Sequence, residues 1–242
     1  MKNVSTSISP LIYARVAGIL YLSSVPLGIF GLVYVPSVII VPGDAATTAS
    51  NIIASETLFR LSIVTNLTCF IVLLFLVLTL YKLLYTVNKT HALLMVIFIL
   101  VSIPIGMLNE LNRLAVLQLL SGADYLTAFK PDQLHALVTL FFSLHKHGYL
   151  VGQIFFGLWL LPLGFLVFKS GYLPRILGVL LIIGCFGHLV DLLTVFLFPS
   201  YEAIISQIAI SAAAVGEIAF CLWLVIKGVN VEEWEKRALE YK

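Results

Sequence analysis

Residues 176–198 read ILGVLLIIGCFGHLVDLLTVFLF. A bilayer core about 30 Å thick needs roughly 20 apolar residues in helical form. This run has twenty-three residues, and His188 and Asp191 are its strongly polar members. Ser170-Gly171-Tyr172-Leu173-Pro174 precedes it and Pro199-Ser200 follows, so turn chemistry brackets it on both sides. It reads as a membrane-spanning helix. His188 and Asp191 lie three residues apart and therefore share one helix face.

Five further runs of the same kind occupy 11–35, 61–85, 92–120, 149–168 and 203–226, making six spans. Pro42-Gly43-Asp44, Asn88-Lys89 and Ser121-Gly122-Ala123-Asp124 separate others of them. Composition agrees: 61% of the 242 residues are apolar and 11% are charged. Soluble domains are about 45–50% apolar and about 25% charged. A soluble globular protein is excluded, and a net charge of +2 excludes a nucleic-acid-binding footprint. Cys69, Cys185 and Cys221 lie within apolar runs without a CxxC spacing, so they read as buried apolar residues rather than as metal ligands or disulfide partners.

The expected fold is all-α: a bundle of six transmembrane helices with an extracytoplasmic amphipathic helix. Residues 1–228 form one membrane domain, and 229–242 (VNVEEWEKRALEYK) a short charged cytoplasmic tail in a solvated helix. The first run exceeds the roughly 7–15 apolar residues of a signal core and reads as a retained helix. Residues 44–60 read as a surface helix. In 132–146, Leu134, Leu137, Val138, Phe141 and Phe142 recur at amphipathic spacing, which predicts a helix along the membrane surface before the fourth span. With the N-terminus inside, ten Lys and Arg fall on that side and four on the other. That bias predicts a prokaryotic cell membrane protein with both termini cytoplasmic. Val25-Pro26-Leu27-Gly28, Ile103-Pro104-Ile105-Gly106 and Leu161-Pro162-Leu163-Gly164 repeat one pattern inside three spans and read as kinks.

The loops carry a further signal. Val41-Pro42-Gly43-Asp44, Asn51 to Glu56, Leu58-Phe59-Arg60, Ser121 to Leu126, Leu144-His145 with Gly148-Tyr149, Phe155 to Leu160, Lys169 to Leu180, Gly216-Glu217, Trp223-Leu224 and Lys227-Gly228 together form a specific pattern. The sequence from Leu11 to Gly228 resembles an uncharacterised prokaryotic membrane family, domain of unknown function 4386. The resemblance implies a multi-span membrane protein and no established activity. His147 and His188 depart from it, standing where an aromatic residue is more usual.

Charged groups inside a span are costly and face partners, so each is a candidate site residue. The third span carries Asn109, Glu110, Asn112 and Arg113, with Glu110 and Arg113 at ion-pair spacing. His145, Tyr149 and Gln153 form one stripe on the fourth span, and His188 and Asp191 lie on the fifth. Gly148 and Gly152 read as helix-packing positions. Glu217 is an isolated buried charge near the midplane, expected to bond Thr65, Asn66, Tyr21 or Ser24 on another helix.

Three function classes follow. An intramembrane metal hydrolase would use His145, His188 and Asp191 as ligands, with Glu217 or Glu110 as acid–base. It lacks HExxH or any comparable compact motif. A small proton-coupled transporter, working as an oligomer, would use Glu217, Asp191 and Glu110. The favoured reading is a non-catalytic binder of a lipid or small amphipathic ligand, without a cofactor or resident metal, in which a homo-oligomer is allowed. Its ligand would sit in an outward-facing pocket between spans three, four and five, with Arg113 as anion partner and Asp191 and His145 orienting it. A closed hydrogen-bond network without ligand is the alternative.

Overall fold

In a computed structural model, residues 9–241 are described. They form eight helices: α1 (Pro10–Ile39), α2 (Ala45–Ala54), α3 (Glu56–Leu84), α4 (Lys89–Leu119), α5 (Pro131–Ser170), α6 (Arg175–Leu197), α7 (Glu202–Ile226) and α8 (Val231–Glu240). No strand occurs among the described residues. Six of the helices, α1 and α3–α7, are long and apolar enough to cross a membrane. The protein is therefore all-α with six transmembrane-length helices.

Helix ends follow local chemistry. Gly43 turns at φ +80°, and Asp44 then caps α2 by accepting hydrogen bonds from the Thr47 amide (2.9 Å) and hydroxyl (2.6 Å). Those bonds hold the Asp44 carboxyl below its ordinary value. Asn51 donates from α2 to the Ile39 carbonyl at 3.1 Å, fastening the end of α1.

The repeated proline pattern has three different outcomes. A π-turn at Ile29–Tyr34 follows Pro26 within α1. Pro104 lies in the unbroken α4. In α5 the regular helix stops at Leu158 and resumes at Leu160, because Pro162 has no N–H to offer the Leu158 carbonyl. The amphipathic stretch 132–146 does not lie apart from the fourth span as expected. It runs without a break into α5, since nothing between Pro131 and Leu158 removes a backbone hydrogen bond.

The chain divides into two compact units. The first unit comprises 9–23, Val72–Ser102 and 153–241; the second comprises Ser24–Ile71 and Ile103–Gly152. In the second, Val35, Ile39, Ile52, Phe59, Ile63 and Val116 form a buried apolar cluster with Val138. The first packs through small residues, since between lipid-soaked helices close contact does the work that water exclusion does elsewhere. A Cβ at Gly216 of α7 would stand 2.6 Å from the Leu180 carbonyl of α6, and one at Gly187 would stand 2.5 Å from that of Ala209.

The charged tail is not simply solvated. Asn230 caps α8 through the Glu233 amide (3.2 Å), and the Trp234 indole donates to the Leu83 carbonyl at 2.9 Å. Tyr172 donates to the same carbonyl at 2.9 Å. Leu83 ends α3, where carbonyls lack helical partners, so these two donors satisfy an acceptor that would otherwise be unpaired. Burial holds the Tyr172 phenol above its ordinary value, so it stays a donor.

Candidate functional site

Each unit holds one buried polar network. In the second unit the network centres on Glu110 of α4. Its Oε1 accepts from the Asn66 side-chain amide of α3 (3.0 Å) and contacts His145 Nε2 of α5 (3.3 Å). Its Oε2 pairs with Arg113 one turn along at 3.4 Å. Arg113 also donates to the Ser62 hydroxyl, and its guanidinium lies 4.8 Å from the Phe59 ring centre. Asn109 donates to the His145 carbonyl (2.8 Å), and Asn112 donates to Asn109 Oδ1 (2.9 Å). Glu110 and Arg113 are 3% and 2% exposed, so this is an ion pair withdrawn from solvent.

Two glycines make room for the network. A Cβ at Gly31, inside the π-turn, would collide with the Asn66 side chain, and one at Gly148 with that of Asn109. Only a residue without a side chain lets those amides reach their places. Gly148 thus has the packing role its spacing predicts. Gly152 has ordinary room, its Cβ meeting Ile105 at 3.6 Å.

In the first unit the network is a chain. Gln153 Nε2 of α5 donates to Asp191 Oδ2 (2.9 Å) and faces His188 Nδ1 (3.2 Å), both on α6. His188 Nε2 faces Glu217 Oε1 of α7 at 3.2 Å, and Tyr21 of α1 donates to Glu217 Oε2. The protons can be placed. An amide nitrogen only donates, so His188 Nδ1 accepts; Nε2 then carries the hydrogen and donates to Glu217. Phe156 meets the His188 ring edge-on at 5.6 Å, and Trp159 lies 5.8 Å from Tyr21.

The expected site residues are thus divided between the units. Glu110, Asn112, Arg113 and His145 belong to the second, as does Tyr149, which is 42% exposed. Gln153, His188, Asp191 and Glu217 belong to the first. Glu217 takes Tyr21, one of its expected partners, whereas Asn66, another, bonds Glu110 instead. Ser62 and Asn66 were not expected at the Glu110 site. They lie four residues apart on α3, so their shared helix face was the available signal. His147 faces its own helix, with Nδ1 2.7 Å from the Ser143 carbonyl. Among the described residues, no group of three or more His, Cys, Asp or Glu is placed to hold a metal ion.

Six transmembrane-length helices with buried polar networks define a polytopic helical membrane protein. The chain belongs to the family described as domain of unknown function (DUF4386), whose model matches residues 16–228. An uncharacterised protein of Archaeoglobus fulgidus is 38% identical over 133 residues, covering 55% of this chain and 71% of that one. No solved structure matches.

Proposed function

We propose that this protein is a non-catalytic component of a prokaryotic cell membrane that holds the polar head of a lipid or other small amphipathic molecule. Arg113 is the anion partner, with Glu110, Asn112 and His145 around it. The observation that carries the reading is the state of the guanidinium. Arg113 is 2% exposed, yet it meets Glu110 through a single 3.4 Å contact and Ser62 through another. A guanidinium has five N–H donors and favours two-pronged contact with an anion. Glu110 does not supply that contact, because its other oxygen serves Asn66 and His145. An anionic headgroup matches the unused donors.

The lipid bilayer is the first partner on this reading, and both termini lie in the cytoplasm. The ten-to-four Lys and Arg bias supports that orientation. Cysteines placed at Ala46 and in the tail should be labelled from opposite faces; labelling from the same face contradicts it. The binding test is retention of an anionic phospholipid by the purified protein, followed by native mass spectrometry. Arg113→Lys keeps the charge and loses the fork, so retention should weaken about tenfold. Equal retention by a folded Arg113→Lys variant rejects the assignment.

A further inference from the structure

The position of a single atom in the first unit has a consequence for proton binding. Gln153 Nε2 is the nearest polar atom to both Asp191 (2.9 Å) and His188 Nδ1 (3.2 Å). As a nitrogen it donates to both, which requires an ionised Asp191 and an Nδ1 without hydrogen. A half-turn of the amide would put the carbonyl oxygen there instead. That oxygen only accepts, which requires a proton on Asp191 and one on Nδ1. A mixed state, with one group protonated and the other not, leaves one of the two contacts without a hydrogen bond under either orientation. Gln153 is 4% exposed, so water is not freely at hand to repair that contact.

We propose that Asp191, Gln153 and His188 form a proton-binding site that takes up two protons together, the Gln153 amide turning over as they bind. One proton goes from water to Asp191 Oδ2 and one to His188 Nδ1. No covalent bond of the protein breaks, and the charge of the group rises by two. In the loaded state Asp191 and Nδ1–H both donate to the Gln153 oxygen, while Nε2–H continues to donate to Glu217.

The groups facing the pair are consistent with this exchange. From α7, Glu217 faces His188 and accepts from it in both states. From α1, Tyr21 donates to the other Glu217 oxygen. From α5 come Gln153 and the uncharged Phe156. Cys185 and Cys221 lie about one turn from His188 and Glu217 on their own helices. Within the described residues of this unit, no lysine or arginine pairs with Asp191 or Glu217. Both states are therefore complete hydrogen-bond networks, and neither needs a neighbour to change sides.

The signature is unusual. Two protons bound at neighbouring sites repel, so ordinary charge coupling spreads their titrations apart. The shared amide does the opposite, and by linkage each proton strengthens the other's binding by the same factor. The test is a pH titration of the full-length protein in lipid nanodiscs. His188 is followed by its imidazole nitrogen resonances, and Asp191 by the infrared carbonyl band of its protonated form. The expected result is one common midpoint, with a Hill slope above one and approaching about 2. In Gln153→Leu, which offers neither donor nor acceptor, the midpoints should separate by about one pH unit, a tenfold change in affinity, with slopes no greater than one.

Separate midpoints in the unmodified protein overturn the proposal, as does a joint steep titration that survives in Gln153→Leu. Should that variant fail to fold, Asp191→Leu serves instead. His188 must then titrate alone with a slope of about one; a retained steep slope overturns the proposal equally.

Discussion

Glu110 and Glu217 are both carboxylates inside membrane-length helices, but their surroundings differ in kind. Glu110 meets a guanidinium, an imidazole and an amide within the second unit. Glu217 meets an imidazole and a phenol within the first, and its neighbour Asp191 meets an amide. One unit answers a buried carboxylate with a fixed positive charge. The other answers two carboxylates with neutral dipoles whose hydrogens can be rearranged. A fixed counter-ion makes a network rigid in charge, whereas dipoles leave the charge open to protons. The lesson is that counting intramembrane charges does not separate these cases; the hydrogen-bond partners do.

Removing the counter-ion should have the largest effect. Arg113→Met leaves Glu110 buried and unpaired, so stability should fall by about 3–5 kcal/mol. Unfolding in mixed micelles measures this, and adding Glu110→Gln should recover much of the loss. The matching change in the first unit is milder. His188→Phe removes a neutral link while Tyr21 still bonds Glu217 and Gln153 still bonds Asp191, so about 1–3 kcal/mol should be lost. An equal loss for the two variants would break the comparison.

The same contrast extends to helix ends. In the first unit Trp234 and Tyr172 share the Leu83 carbonyl, so Trp234→Phe leaves that acceptor satisfied. The cost should be about 1 kcal/mol or less, visible as faster proteolysis of the tail. In the second unit the Asp44 cap is exposed and acts through charge. Its carboxyl is held below the ordinary value when folded, so its contribution is present above the unfolded carboxylate range. That contribution fades as pH falls through the lowered folded value. Asp44→Asn should flatten this small acid-side slope in a pH series of melting curves.

The spans were legible because hydropathy is a property of composition along the chain. The run at 176–198 corresponds to α6 at Arg175–Leu197. Most polar residues singled out from the sequence are buried: Glu110, Arg113, Gln153, His188 and Asp191 are all at or below 7% exposure. Depth and facing could be inferred because a charge in lipid must turn inward. Helix rotation could not. Asn66 was a candidate partner for Glu217 from its depth in the second span, but it bonds Glu110. Three copies of one proline pattern gave a π-turn, an intact helix and a break, because the outcome depends on what packs beside each. The Trp234 anchor joins residues 151 positions apart, beyond the reach of any local pattern.

A pair of double-mutant cycles tests the central contrast most directly. One crosses Arg113→Met with Glu110→Gln; the other crosses His188→Phe with Glu217→Gln, both by unfolding at neutral pH. A fixed ion pair should give a coupling energy of about 3 kcal/mol. A neutral hydrogen-bonded link should give about 1 kcal/mol. Equal couplings, or a larger one at Glu217, would contradict the claim that the two networks hold their carboxylates by different means.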